Sequence, residues 1–532
     1  MPYKNSLKHI AIPTIIAISI LTGVLVHKYF FQTKHIVQGQ ASEISKVDEL
    51  LRKITIDYVD HVDYDSLQEV ALPKILKNLD PHSSYIPAKL KEEVDAPMQG
   101  AFDGIGVQFN IRKDTVMVIK PIVGGPSEKV GILGGDRIVK VNDTIIAGIK
   151  ISTREVMRRL KGKRGTKVKV SIKRRGTDEL LDFIVIRDKI PLYSVDISYM
   201  INANTGYIKV HNFSRNTYGE FMQAANKLKA MGMKNLVIDL RGNGGGIMES
   251  AIRMADEFLD PGKLIVYTQG NNRRKREYRA SGQTFLKNID VAILMDEWSA
   301  SASEIFAGAL QDNDVGTIVG RRSFGKGLVQ EPYYFKDGSE LRLTVARYYT
   351  PTGRSIQKPY VNGDEDSYRE DITQRYLNGE FMEQDSIQFA DSLKFTTPGG
   401  KIVYGGGGIM PDVFVPVDTT AGSDFLYSIR RKGYMYSFAY DYTDKNRQEL
   451  SGYDDYKKVR QFLQKDNIFK KFLAFAAKKG IKPKGDDLKK SREVIEIQVE
   501  GLVVRNIIGD DGFYPIIHEI DNTLEKALES FK

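Results

Sequence analysis

Five apolar residues, Val291-Ala-Ile-Leu-Met295, lead into Trp298-Ser-Ala-Ser-Ala-Ser-Glu304 and then into an alanine- and leucine-rich stretch ending at Gln311. The apolar run reads as a buried strand and the stretch from Glu304 to Gln311 as a helix. A strand that turns into a helix through a run of serine and alanine constrains the fold, because only small residues tolerate the close approach of both elements. The pattern recurs upstream. Asn235-Leu-Val-Ile-Asp-Leu240 reads as a strand, Arg241-Gly-Asn-Gly-Gly-Gly246 as a turn, and Ile247 to Leu259 as an amphipathic helix. Further strands are predicted near 264–268 and 316–319. This alternation, beginning at Tyr207, argues for an α/β core.

The serine run also carries chemistry. A serine hydroxyl is a poor nucleophile until a base removes its proton. Downstream lies a glycine-flanked lysine, Phe324-Gly-Lys326-Gly327, and a neutral lysine amine is such a base. The first turn of a helix leaves backbone N–H groups unpaired, which suits a nucleophile at a strand-to-helix turn. The bland alternatives are a serine cap, at Ser301 or Ser303, and a solvated loop charge. The glycines of 241–246 let backbone N–H groups face a helix start, where developing negative charge is stabilised. An acyl-transfer enzyme needs such donors for its oxyanion.

Composition removes several function classes. The chain of 532 residues has no cysteine, which excludes disulfides, thiolate metal sites and a cysteine nucleophile. Seven scattered histidines form no ligand spacing, so no metal and no cofactor are expected. His82 and His211 are the candidates for a serine–histidine triad. The formal charge of +10 permits anionic partners. Its basic clusters, Arg273 to Arg276 and Lys161 to Arg175, read as solvated surface, and no nucleic-acid partner is expected. Gly320 to Lys326 fits most of a phosphate-binding loop but ends in Gly327 where Ser or Thr belongs, and the 241–246 turn lacks the dinucleotide spacing.

Ile10 to Val26 contains 17 residues without a charge, spanning about 26 Å at 1.5 Å per residue against a bilayer core of roughly 30 Å. An uncleaved anchor is favoured over a cleaved signal, since no small-x-small site follows directly. Either outcome places the remainder outside the cytoplasm. The expected organisation is a signal or membrane anchor at 1–31, a helical region at 32–97, a compact β-rich unit at 98–186, an α/β core at 187–415 and a mainly helical, separate tail at 416–532. Helical arms near 45–75 and 455–530 are candidates for a homo-oligomer contact.

Six segments, in this order, are shared with one family: Leu79-Asp-Pro-His-Ser-Ser-Tyr85, Phe102-Asp-Gly-Ile-Gly-Val-Gln-Phe109, Asp239-Leu-Arg-Gly-Asn-Gly-Gly-Gly246, Ser299-Ala-Ser-Ala-Ser-Glu304, Ser323-Phe-Gly-Lys-Gly327 and Gly407-Gly-Ile-Met-Pro-Asp412. The chain resembles the carboxyl-terminal processing peptidases, or tail-specific proteases, over about residues 45–415. Gly244 stands where proline is common and Ser323 where threonine is common. The resemblance implies a multidomain α/β protein, with a mixed α/β serine-protease core and an inserted β-rich PDZ domain. It implies Ser301 as nucleophile, Lys326 as general base and Gln330 as the side chain that orients the lysine. The N–H of Ala302 and that of Gly245 or Gly246 would form the oxyanion hole. Gly104, Ile105, Gly106 and Val107 would capture a substrate's free C-terminal carboxylate and gate the core. With the Ile10 to Val26 segment, the expected setting is the cell inner membrane, single-pass with the catalytic part in the periplasm, or the periplasm itself if the segment is cleaved. Such a lysine must fall from about 10.4 to near 7, a shift of roughly 4–5 kcal/mol that burial supplies. Phe324 and Leu328 are apolar neighbours, and Arg321 and Arg322 would help if close. The rival readings are a PDZ adaptor with a degenerate protease core and a histidine-dependent hydrolase.

Overall fold

A computed structural model describes residues 45–531. The Ile10 to Val26 segment lies outside the described residues. No helix among the described residues is long and apolar enough to cross a membrane. Of the described residues, those up to Leu72 form one compact unit and those from Pro73 onward a second. The first holds the helix Lys46–Asp57, where Arg52 pairs with Asp48 one turn earlier at 2.8 Å.

The heart of the second unit is a six-stranded sheet. Its order is Ile197–Met200, Thr205–Lys209, Asn235–Asp239, Asp290–Met295, Gly316–Gly320 and Val413–Phe414, and every pair after the first is parallel. Alternation along these strands divides the core. Leu236, Ile238, Ile293 and Ile318 face the helices Thr217–Ala230, Met248–Asp256 and Ala302–Asp312. Val237, Ala292, Leu294 and Val319 face the opposite way and are covered by Leu524 and Ala527 of the helix Asn522–Glu529. Buried on both faces, the parallel strands read as continuous apolar runs, as physical chemistry requires.

A second sheet runs beside the first. Glu340–Tyr349 is its central strand, flanked by Ser84–Ile86 and Leu264–Gly270, with Arg273–Arg279 beyond and Leu328–Tyr334 paired in a hairpin. The Leu79 to Tyr85 segment, expected in the helical N-terminal region, thus leads into a strand beside the lysine's own hairpin.

The β-rich unit has strands in the order Val107–Arg112, Thr115–Pro121, Arg137–Val141, Lys167–Lys173 and Leu180–Ile186, with helices Pro126–Lys129 and Thr153–Leu160. It is inserted through a two-stranded ribbon, Ala101–Gly104 against Asp188–Pro191. Residues from Asp424 onward form a helical bundle with its own core, including Phe425, Phe438, Phe472, Ile495 and Val503. The bundle is not a detached tail. Its helix Tyr434–Leu450 touches the β-rich unit through Arg112–Asp441 and Arg137–Asp444 ion pairs at 3.1 and 2.9 Å, and its last helix packs on the central sheet.

Candidate active site

Ser301 ends the turn after Asp290–Met295 and caps the helix Ala302–Asp312 with φ 58° and ψ −114°. A side chain other than glycine held there signals backbone strain imposed by its surroundings. Those surroundings are specific. Asn243 accepts from the Ala300 N–H at 3.0 Å and from the Ser303 hydroxyl at 2.9 Å through its carbonyl, while its side-chain amide donates to Val210. Gly245, at φ 96°, lies against the serine, and a β-carbon there would stand 2.7 Å from Ser301 Cβ and 2.6 Å from the Ala300 carbonyl. The glycine turn and the serine turn are therefore packed backbone to backbone.

Glu304 joins the serine to the lysine. Its buried carboxylate accepts from the Ser301 N–H at 2.7 Å and the Lys326 N–H at 2.9 Å on one oxygen. The other oxygen accepts from the Ser323 hydroxyl at 2.5 Å and the Gly325 N–H at 2.7 Å. Burial pushes this carboxyl up to about 7, against the pull of the four donors. The Tyr348 hydroxyl shares its proton between the carbonyls of Ser301, at 3.2 Å, and Lys326. Behind the lysine loop, Ser323 receives the Ile409 N–H at 2.7 Å, which ties in the 407–412 segment.

Burial lowers the Lys326 amine from its ordinary range; Glu304 and Asp80 hold it up, and Arg342 pushes it further down. Arg321 and Arg322 do not supply that push. They are paired with Glu297 and Glu380 at 2.8 and 2.6 Å. No hydrogen bond joins the Ser301 hydroxyl to the Lys326 amine among the described residues. Gln330 donates to Thr344 Oγ1 at 3.2 Å, and Thr344 donates to Asp80 at 2.9 Å. Asp80 in turn accepts from the N–H groups of His82 and Ser83. The sequence reading missed Glu304, Asp80, Thr344 and Tyr348. Only Glu304 carried a local signal, the Ser-x-x-Glu pattern of a helix start.

Two donors expected for an oxyanion differ in state. The Ala302 N–H has no acceptor among the described residues, whereas the Gly245 N–H is bonded to Asn243 Oδ1 at 2.9 Å. Gly246 bridges to Phe213, whose carbonyl would be 2.1 Å from a β-carbon. The histidines stand in other roles. His82 is kept neutral, at about 4, by burial and the nearby Lys326, with its ring 2.9 Å from the Tyr368 hydroxyl. His211 pairs with Asp196 at 2.6 Å, and no side-chain bond links it to a serine among the described residues. In the β-rich unit, the Ser127 N–H and hydroxyl hold the buried Ile105 carbonyl, and Ile122 donates to the Gly106 carbonyl. The N–H groups of Ile105 and Gly106 donate to no described residue. Val107 opens an edge strand. No cluster of carboxylates and histidines able to hold a metal occurs among the described residues.

Comparison with known proteins places these features together. Residues 204–367 match Peptidase family S41, residues 104–185 match the PDZ domain, and residues 425–509 match a family of unknown function. The chain is similar to the Carboxy-terminal processing protease CtpA of Bacillus subtilis (strain 168), 35% identical over 60% of this chain and 67% of that protein. It is also similar to a probable CtpA-like serine protease of Staphylococcus aureus (strain N315), 34% identical over 67% and 73% of the two chains. Among solved structures, it matches the photosystem II D1 C-terminal processing protease with 26% identity, covering 70% of this chain and 92% of that one, at a TM-score of 0.35. The matched family, the PDZ unit and the relatives agree: this chain belongs to peptidase family S41, among the carboxy-terminal processing serine proteases.

Proposed function

We propose that the protein is an endopeptidase that takes extracytoplasmic proteins by their free C-termini and cleaves them through a Ser301–Lys326 dyad. The observation that carries this reading is the Glu304 carboxylate, which fixes the backbones of both residues from a single buried group. The Lys326 amine, lowered by burial, accepts the Ser301 hydroxyl proton as the oxygen attacks the scissile carbonyl. The Ala302 N–H, with Gly245 or Gly246 after a turn of the Asn243 bond, receives the oxyanion. The Lys326 ammonium gives that proton to the leaving amine as the C–N bond breaks; the neutral Lys326 amine then deprotonates a water that attacks the acyl carbon, and the Ser301 oxygen leaves, taking the proton from Lys326 as the carboxylic acid product departs. Gln330 acts through Thr344 by positioning Asp80 near the lysine. The unjoined hydroxyl and amine suit a resting state that closes when a tail reaches Gly104 to Val107, so the PDZ unit gates the core. The Ile10 to Val26 segment anchors the chain in the inner membrane with its catalytic part in the periplasm.

The test is cleavage of an unstructured protein with a free or amidated C-terminus. Ser301→Ala and Lys326→Ala are expected to abolish turnover while keeping the fold, and amidation to slow it. Full activity in Lys326→Ala would end the proposal.

A further inference from the structure

The strand Val107–Arg112 lies at the edge of its sheet, paired among the described residues only with Thr115–Pro121. Its side chains alternate. Val107, Phe109 and Ile111 pack toward the core of the PDZ unit, while Gln108, Asn110 and Arg112 point to the opposite face. On that face stands the helical bundle, and between the two is a cleft of about 680 Å³. Arg112 crosses it to the Ser437 carbonyl at 3.2 Å and to Asp441.

The charge of this cleft is unbalanced. Its two carboxylates, Asp441 and Asp510, are taken by Arg112 and Arg505 at 3.1 and 2.6 Å. Lys113 and Lys120 from the PDZ unit, and Lys432 and Lys479 from the bundle, make no ion pair among the described residues. A second observation points to a ligand. The Tyr440 side chain lines the cleft, is 6% exposed, and its buried hydroxyl has no hydrogen-bond partner among the described residues. A buried hydroxyl left without a partner is costly, and such groups in native proteins call for an explanation.

A peptide added as a strand to the free edge of Val107–Arg112 would send alternate side chains to opposite faces of the sheet. One set enters the PDZ unit and the other points to the face walled by the bundle. We propose that this cleft reads acidic side chains at alternate positions of the substrate tail, so that the helical bundle is part of the specificity site. This rests on the reading that the PDZ unit takes free C-termini. The charge complementarity is local: four lysines without a carboxylate partner among the described residues, and a hydroxyl donor, line one face of the peptide path.

The experiment uses the full chain carrying Ser301→Ala and labelled tail peptides read by fluorescence anisotropy. Aspartate is placed at the second and fourth positions from the end, or at the third and fifth, with asparagine as reference and an amidated version of each. One alternating set is expected to bind about fivefold tighter as aspartate, from two screened charge pairs. The gain is expected to shrink with salt and to vanish in Lys432→Ala/Lys479→Ala, whose side chains are exposed. Equal binding of aspartate and asparagine peptides, with amidation still abolishing binding, overturns the inference and leaves tail capture standing. An acidic preference that survives in the lysine variant also overturns it. Amidated peptides that bind as tightly as free ones refute tail capture itself, and the inference with it.

Discussion

Replacing Glu304 by glutamine tests the clamp that unites the two reactive residues. Each carboxylate oxygen receives two donors, so the amide must present its NH2 to one pair. The less costly orientation faces Ser323 and Gly325, because the Ser323 hydroxyl can turn and accept. The Gly325 N–H then has no acceptor, and the charge assistance of the other bonds is lost, for a total of about 2–4 kcal/mol at pH 8. Alanine would strand all four donors, at about 4–12 kcal/mol, comparable with a domain's whole stability. The assay is urea denaturation followed by Trp298, the only tryptophan, which lies in the serine turn. The sign of the pH dependence is fixed by the raised folded pKa. Between about 4.5 and 7 the native carboxyl binds more protons than the unfolded one, so wild-type stability falls as pH rises through that window. The glutamine penalty is therefore largest at pH 4.5 and constant above 7. Glutamine also removes a negative charge that holds the Lys326 amine up, so the rising limb of activity against pH is expected to move to lower pH. An unchanged urea midpoint at pH 8, or a penalty that grows from pH 4.5 to 7, would refute the reasoning.

Gly245→Ala forces a β-carbon to within 2.6 Å of the Ala300 carbonyl at φ 96°; turnover is expected to fall at least about hundredfold, the scale of one lost oxyanion donor, with circular dichroism unchanged. Arg354 is fully buried and donates to Asp312 and Gln311 at 2.7 Å. Arg354→Met should cost about 3–5 kcal/mol by leaving Asp312 unpaired, with partial recovery on adding Asp312→Asn, as read by urea midpoints. His82 is neutral when folded, at about 4 against an ordinary 6.5, so its contribution is present above 6.5 and lost as pH falls through 4. His82→Gln should flatten the melting temperature against pH across that window.

The central sheet was legible because its strands are buried on both faces and its turns are built from small residues. The runs 235–240 and 291–295 needed only periodicity and their glycine or serine punctuation to be read as strand-to-helix units. The fold class followed from that alternation, and the family from the order of its motifs. What escaped had no local signature. Asp80 and Thr344 meet across 264 positions, and Tyr348 reaches back 47 to Ser301; no window of sequence registers such pairings. Burial lowers the lysine as expected, but the condition set on Arg321 and Arg322 is not met, because they point into ion pairs of their own while distant Arg342 lies near. The bundle was read as separate since its amphipathic helices show that they bury a face, but not which face belongs to the bundle and which to the sheet.

The guanidinium of Arg241, in the glycine turn beside the nucleophile, is held between Asp239 and Asp521, with Asp521 bonds of 2.7 and 2.9 Å spanning 280 positions. Asp521 also caps the helix that seals the reverse side of the central sheet. During synthesis, the ribosome delivers the serine and the lysine long before it delivers this brace. A half-made chain thus carries the serine and the lysine without the contact that steadies the glycine turn beside them.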